Sequence, residues 1–363
     1  MSGPYRGRRE RVWQSVLGQA PDACGLLITS LPNIRYLTGF SGSNAVLLVT
    51  EDQALLGTDA RYAVQSDTEC PGIPVLLDRS TLAAVAAHWR KHFVGPLAVE
   101  SEHVSLAQWR RIVEMLDGDE RRLRTISGVV ESVREVKDPD ELAALEWACA
   151  ISGQALEEVI SDVRTGDTER TIARRLDSRM LELGADRVSF DTIVASGPHS
   201  AIPHHQPTDR PLREGDLLLI DFGAEVAGYH ADETRTFVVG EPVDWQREIH
   251  AVVLAAQQAG RAAATAGTPL ADVDGAARRI IDEAGYGDHF GHGLGHGVGL
   301  EIHEAPFFSA AATGMLLAGS SVTIEPGVYL AGRGGVRIED TVIVTEGQCS
   351  PLTTADRGLL VLG

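Results

Sequence analysis

Five residues in the C-terminal part of the chain are of types that do chemistry together: Asp221, Asp232, His296, Glu325 and Glu339. They stand in L-L-L-I-D-F-G (217–223), A-D-E-T-R-T-F (231–237), G-H-G-L-G-H-G-V-G-L-E-I-H-E (291–304), V-T-I-E-P-G-V-Y (322–329) and G-G-V-R-I-E-D (334–340). Asp221 follows four apolar residues, and Glu325 and Glu339 each follow an isoleucine. A buried carboxylate without a partner costs several kcal/mol, so such groups are paired, protonated or metal-bound. Taken singly, Asp221 reads as a turn residue at a strand end and Glu339 as the partner of Arg337 or Arg333. Four carboxylates with one imidazole instead form the donor set of a site for two hard divalent cations. Oxygen-rich ligation with one histidine suits Mn, Co, Fe or Zn better than a thiolate site would. Four negative charges would balance two such ions.

The glycine-rich segment 291–304 also carries His292, His296 and His303. It has no G-x-G-x-x-G register and no Gly-Lys-Ser/Thr, so it is not a phosphate loop. His303-Glu304 does not open an H-E-x-x-H helix, because position 307 is Phe and Pro306 intervenes. The alternation in V-G-L-E-I-H suggests a strand after the glycines, so His296 can bind metal while His303 faces substrate. A further cluster, S-F-D-T-I-V-A-S-G-P-H-S-A-I-P-H-H-Q-P (189–207), places His204 after a rigid Ile-Pro step. His204 is expected to be functional, whereas His199 and His205 read as polar residues of a surface loop.

The elements that must position these groups can be read from hydrophobic periodicity. Strands are expected at 25–29, 45–50 and 74–78, and helices at 82–93 and 106–116, giving an α/β layer domain over residues 1–130. The second domain, 131–363, begins near V-R-E-V-K-D-P-D-E-L. There Asp138, Pro139 and Glu141 form a helix start with a capping box. Helices are expected at about 139–163 and 168–184 before a hairpin carrying Asp221 and Asp232. Two more, at about 244–265 and 270–285, precede a hairpin carrying Glu325 and Glu339. The spacings, 104 positions from Asp221 to Glu325 and 107 from Asp232 to Glu339, point to a duplicated α-α-β-β unit. A turn centred between Val226 and Ala227 would make Asp221 and Asp232 cross-strand neighbours with Cβ atoms about 4.5–5.5 Å apart. Glu325 and Glu339 are symmetric about Gly332, with Pro326-Gly327 disturbing simple pairing.

At 363 residues two domains are the default, and 44% hydrophobic with 23% charged residues is ordinary for a globular protein. The net charge of −19 disfavours nucleic acid and anionic membranes as partners. The N-terminal M-S-G-P-Y-R-G-R-R-E-R-V-W lacks an apolar core, so no secretory signal is expected, and no apolar run is long enough to span a bilayer. Cys24, Cys70, Cys149 and Cys349 are scattered without a C-x-x-C pair, which suits free thiols in a reducing cytoplasm.

Together the motifs resemble the pita-bread metallopeptidases, in their Xaa-Pro branch of aminopeptidase P and prolidase. Y-L-T-G-F-S-G-S-N-A (36–45) and T-D-A-R-Y (58–62) are similar to the creatinase-like N-terminal domain of that branch. The resemblance implies an α/β creatinase-like domain followed by an α+β pita-bread catalytic domain. It implies that Asp221 binds one ion, that Asp232 and Glu339 bridge two, and that His296 and Glu325 complete the other. His204, His292 and His303 match substrate-contacting histidines, with His204 also expected to be catalytic, and Tyr229 and Arg337 match supporting positions expected at the substrate site. In such a site two ions lower the pKa of a water held between them, with Glu325 placed to take its proton and His303 to donate to the oxyanion. The expected activity is an Xaa-Pro aminopeptidase using two divalent ions, Mn before Co, Zn or Fe, on peptides with proline second. A dipeptide-limited prolidase is the alternative, and a creatinase-like hydrolase or metal-free module a remote one. The resemblance also implies a homodimer.

Overall fold

A computed structural model describes residues 4–363. The chain divides into two compact units, the first ending at Arg134 and the second beginning at Glu135. Among the described residues no helix is long and apolar enough to cross a membrane.

The first unit is an α/β layer. Its six-stranded sheet runs in the spatial order Val75–Leu77, Ala54–Thr58, Ala45–Val49, Gly25–Ile28, Leu97–Glu100, Leu123–Ile126. The Ala45–Val49 and Ala54–Thr58 strands form an antiparallel hairpin, while Gly25–Ile28, Leu97–Glu100 and Leu123–Ile126 are mutually parallel. Leu27, Val46, Leu48, Leu97 and Val99 pack against Val85, Trp89 and Ile112 of the Thr81–His92 and Leu106–Met115 helices. Burial on both faces explains why these strands are continuous apolar runs rather than alternating ones.

The second unit repeats one plan twice. Helix α1 (Pro139–Ser161) starts where the sequence places it: Asp138 accepts from the Asp140 and Glu141 amides at 3.1 Å, and Glu141 accepts from the Asp138 amide at 2.9 Å. Helix α2 (Glu169–Glu182) follows, then strands β1 (Ile193–Ser196), β2 (Leu217–Phe222) and β3 (Glu233–Val239). Apolar residues of α1 and α2 meet Leu218, Ile220, Phe222 and Phe237 in one core. In the second half, α3 (Asp244–Ala263) and α4 (Leu270–Glu283) cover β4 (Gly295–Gly297), β5 (Glu304–Phe308), β6 (Ser321–Ile324), β7 (Gly327–Leu330), β8 (Gly334–Arg337) and β9 (Asp340–Ile343). A second core includes Val253, Ile281, Ile324 and Val342 of this half and takes in Leu217 of β2 and Val238 of β3.

Two register findings decide how the carboxylates meet. In the first hairpin the turn lies at Ala227 and Gly228, both with positive φ (52° and 86°), one residue later than the sequence suggests. Val226 therefore opposes Tyr229, and Asp221 opposes Thr234 rather than Asp232. In the second half, Ile324 faces Asp340 and Gly327 faces Arg337. The two ladders keep one register across the break at Glu325-Pro326, so Glu325 and Glu339 occupy opposed positions there. A bridge between Thr234 and Glu339 joins the two halves, with the Glu339 amide donating to the Thr234 carbonyl at 3.1 Å.

Candidate metal centre

Each candidate ligating group is delivered from within or beside a paired strand. Asp221 lies in β2, flanked by Ile193 of β1 and Thr234 of β3. Asp232 immediately precedes β3, Glu325 immediately follows β6, and Glu339 immediately precedes β9. His296 is the middle residue of β4. The glycines around it serve close approach rather than flexibility. A Cβ on Gly295 would stand 2.1 Å from the Thr323 carbonyl oxygen, and one on Gly297 equally close to that of Ala305. The expected strand over 298–303 is not formed; after β4 the chain bends irregularly before β5. The bend brings the His303 ring to 4.4 Å from that of His296, edge-on.

The five groups converge. Donor atoms of Asp232, His296 and Glu339 all lie within 4.8 Å of one another. The Nδ1–H of His296 donates to the Gly297 carbonyl at 3.0 Å, which turns Nε2 toward the carboxylates. That Nε2 is 3.3 Å from Glu325 Oε1 and 3.6 Å from Asp232 Oδ2. Arg337 Nη2 donates to Asp221 Oδ2 at 2.6 Å, leaving the buried Oδ1 without a hydrogen-bond partner among the described residues.

Burial, and then the neighbouring carboxylates, push the Asp232 and Glu339 carboxyls well above their usual range. Burial raises Asp221 too, against the Arg337 charge. Burial also opposes the charge of Glu325, but its hydrogen bond to His296 wins and holds its pKa low. His296 is the counterpart: desolvation is outweighed by Glu325 and Asp232, and its pKa rises to about 9. So many carboxylates cannot all stay ionised here without added positive charge. An orphaned aspartate oxygen beside a cluster of oxygen donors with one imidazole nitrogen fits a pair of divalent cations.

The site opens into a cleft of about 500 Å³ lined by the five groups together with His204, His292, His303 and Arg337. His204 and His303 are exposed to it. His292 is half-buried; its Nδ1–H donates to the Gly293 carbonyl at 2.8 Å, so Nε2 accepts from the Tyr329 hydroxyl at 3.0 Å. Burial depresses the His292 pKa, in keeping with that neutral acceptor role, and burial with the His296 charge depresses His303. Tyr329 in turn accepts from Arg337 Nη1 at 2.9 Å, and burial pushes its hydroxyl up to about 12.

Three placements differ from expectation. Tyr229 does not line the cleft: opposed to Val226 beyond the shifted turn, it donates to Glu141 Oε1 at 3.0 Å in the first turn of α1. His205 is buried and His199 half-buried, and both hydrogen-bond Glu169, so they are not surface-loop residues. Thr234, Thr323 and Tyr329 were not singled out from sequence. Thr234 donates to Glu339 Oε2 at 2.6 Å, and Thr323 accepts from the His296 amide at 3.1 Å. Their signal was available: each is a hydroxyl inside a quoted, otherwise buried motif.

Comparison with known proteins agrees with this construction. Residues 143–346 match metallopeptidase family M24, and residues 17–136 match the creatinase/prolidase N-terminal domain. A Pyrococcus horikoshii Xaa-Pro dipeptidase is 41% identical over 339 residues, covering 92% of this chain and 94% of that protein. The solved Xaa-Pro dipeptidase from Bacillus anthracis superposes with a TM-score of 0.93 at 35% identity, covering 99% of this chain and 100% of its own. The X-Pro aminopeptidase from Thermotoga maritima gives 0.90 at 38% identity, covering 98% and 99%.

Proposed function

The chain belongs to metallopeptidase family M24, and from that premise we propose that it hydrolyses the peptide bond preceding proline, as an Xaa-Pro dipeptidase. The observation that carries the reading is the convergence of Asp232, His296 and Glu339, flanked by Asp221 and Glu325, at the floor of a cleft rimmed by histidines. Two of the three relatives named above carry the dipeptidase name and one the aminopeptidase name. The dipeptidase alternative is therefore better supported than the aminopeptidase reading preferred from sequence.

In this reading Asp221, Asp232, His296, Glu325 and Glu339 would hold two divalent cations. Bound there, the cations supply Lewis acidity toward the scissile carbonyl and an acidified water. The rest falls to the chain itself. Glu325 takes the proton of the attacking water and returns it to the leaving nitrogen, with His296 and Thr323 fixing its orientation. His303, at the mouth of the site, donates to the oxygen that becomes negative. His204 approaches from the opposite loop and holds the substrate. Arg337 keeps Asp221 oriented while supporting Tyr329, which fixes His292. Proline as the departing residue offers no amide N–H, so its ring is recognised by shape.

The test is a panel of Xaa-Pro dipeptides and Xaa-Pro-Xaa tripeptides given to chelated protein reloaded with Mn, Co or Zn. A dipeptidase cuts only the dipeptides, and an aminopeptidase also releases the first residue of the tripeptides. Full activity in protein shown to be metal-free would sink the metallopeptidase mechanism.

A further inference from the structure

Glu169 is charged, fully buried and outside the cleft lining. It sits at the first position of α2, after the Thr168 N-cap, whose side chain accepts from the Thr171 amide. Its carboxylate collects donors from both ends of the segment 196–208. Oε1 accepts from the Ser196 amide and hydroxyl, each at 2.8 Å, and from His199 Nδ1 at 2.9 Å. Oε2 accepts from His205 Nε2 at 2.9 Å, the Thr208 amide at 3.0 Å and the Thr208 hydroxyl at 2.7 Å. Burial works against the charge, yet these donors hold the carboxyl at about 2. A carboxylate has about four lone-pair positions, so six donors leave no oxygen aimed at an added ion. The cluster has the donor types of a metal site, and its hydrogen bonding argues for a different task.

That task follows from what the segment carries. His204 is the residue next to His205, and its side chain reaches the cleft. Among the described residues its hydrogen bonds to the opposite half are lighter: the Gly335 amide donates to Ser200 Oγ at 2.9 Å, and Arg337 Nη1 donates to the Pro203 carbonyl at 3.3 Å. Glu169 thus clamps both ends of a loop whose exposed middle presents one functional imidazole. We propose that Glu169 is a positioning residue for the peptidase reaction, acting through His204 by fixing the 196–208 loop. The inference rests on the peptidase reading above for its kinetic part only.

The experiment is a double-mutant cycle with Glu169→Gln and His204→Ala in the full-length, metal-reloaded protein, read by turnover, metal content and amide hydrogen exchange. Gln keeps the size of Glu but puts an NH2 group against the Ser196 or Thr208 amide. Misplacement of a reacting group by about 1 Å can cost on the order of 100-fold, so kcat of Glu169→Gln should fall about 10-fold to 100-fold with little change in KM. Ion content should match the parent, and amides in 196–208 should exchange faster. Because the effect runs through His204, the double variant should be no slower than His204→Ala alone. A merely structural role would instead multiply the two losses, and that result overturns the proposal. So does parental turnover with unchanged loop protection in Glu169→Gln, or loss of a third ion that the parent binds. If the parent cleaves no Xaa-Pro peptide, the functional reading fails, while the exchange measurement still decides whether Glu169 holds the loop. Should Glu169→Gln fail to fold, Thr208→Val removes one hydroxyl donor and enters the same cycle, with a smaller loss and the same non-additivity expected.

Discussion

Arg337 and Asp221, from opposite halves of the catalytic unit, form a buried pair at 2.6 Å, with Nη2 on Oδ2 and the other aspartate oxygen without a hydrogen-bond partner among the described residues. The arginine spreads its remaining donors over the Tyr329 hydroxyl, the Thr234 hydroxyl and the Pro203 carbonyl. Breaking a buried pair by removing one partner leaves an uncompensated charge. Arg337→Gln should therefore destabilise the chelated protein by about 3–5 kcal/mol. Divalent metal should recover part of the loss by replacing the missing positive charge beside Asp221. Denaturant midpoints with and without metal check this. Identical midpoints for parent and variant after chelation would rule out the arginine as the counter-charge.

The two positions expected to bridge give a second prediction. Asp232 and Glu339 each stand among the other donors, and Glu339 is further fixed by Thr234. If both bridge, removing either disturbs two ions at once. Asp232→Ala and Glu339→Ala should each lower the ion content from about two per chain toward none, whereas His296→Ala should affect mainly one ion. Elemental analysis after dialysis measures it. A content that stays near two in Asp232→Ala contradicts the bridging assignment.

The five converging groups were legible because carboxylates inside apolar runs are conspicuous wherever they fall. The four helices of the catalytic unit were legible because caps and periodicity are local: Asp138, Pro139 and Glu141 set a helix start without help from the rest of the chain. Pairing is not local, and here the reading slipped. One residue of displacement in a turn changed the partner of Asp221 from Asp232 to Thr234. Nothing before Ala227 shows that an alanine will take the positive φ that the turn requires. Tyr229, just beyond the same turn, hydrogen-bonds Glu141 and does not line the cleft. Glu169 and its histidines were missed for a related reason. A glutamate in the first turn of a helix looks like a routine dipole partner, and its contacts lie 27 to 39 residues downstream.

Stability of the N-terminal unit should depend on pH through Glu100. This carboxyl is buried at the end of a sheet strand, accepts from Asn33 Nδ2 at 2.6 Å, and burial raises its pKa from 4.5 to about 7. Between those values the folded state holds a proton that the unfolded state has released. Stability is therefore fully present below 4.5 and is lost as pH rises through about 7. The loss amounts to about 3 kcal/mol as an upper figure. Glu100→Gln cannot ionise and should flatten this slope, so its deficit relative to the parent should shrink as pH rises. Denaturation midpoints across that window test it. An equally steep decline in the variant excludes Glu100 as the source.

The last prediction separates the chemistry from the metal. His303 and His204 line the cleft and are exposed to it, and neither belongs to the converging donor cluster of Asp232, His296 and Glu339. The His303 ring stands edge-on to His296, and burial and the His296 charge keep its pKa low. Burial, the larger cause, favours the neutral imidazole, which can donate one N–H. His204 comes from the loop clamped by Glu169, on the other side. Each should make a hydrogen bond that strengthens as charge develops on the scissile carbonyl. Replacing either by Ala should cost about 100-fold to 1000-fold in kcat, the scale of one lost oxyanion donor. Ion content should stay at the parental value, since all five candidate ligands remain. Turnover of an Xaa-Pro dipeptide and metal analysis on the same preparation decide the matter. If His303→Ala loses metal in proportion to activity, His303 is a ligand, and the role given to His296 must be reassigned. If both variants turn over at the parental rate, the histidines only line the cleft, and the acid–base and oxyanion work rests on Glu325 and the cations alone.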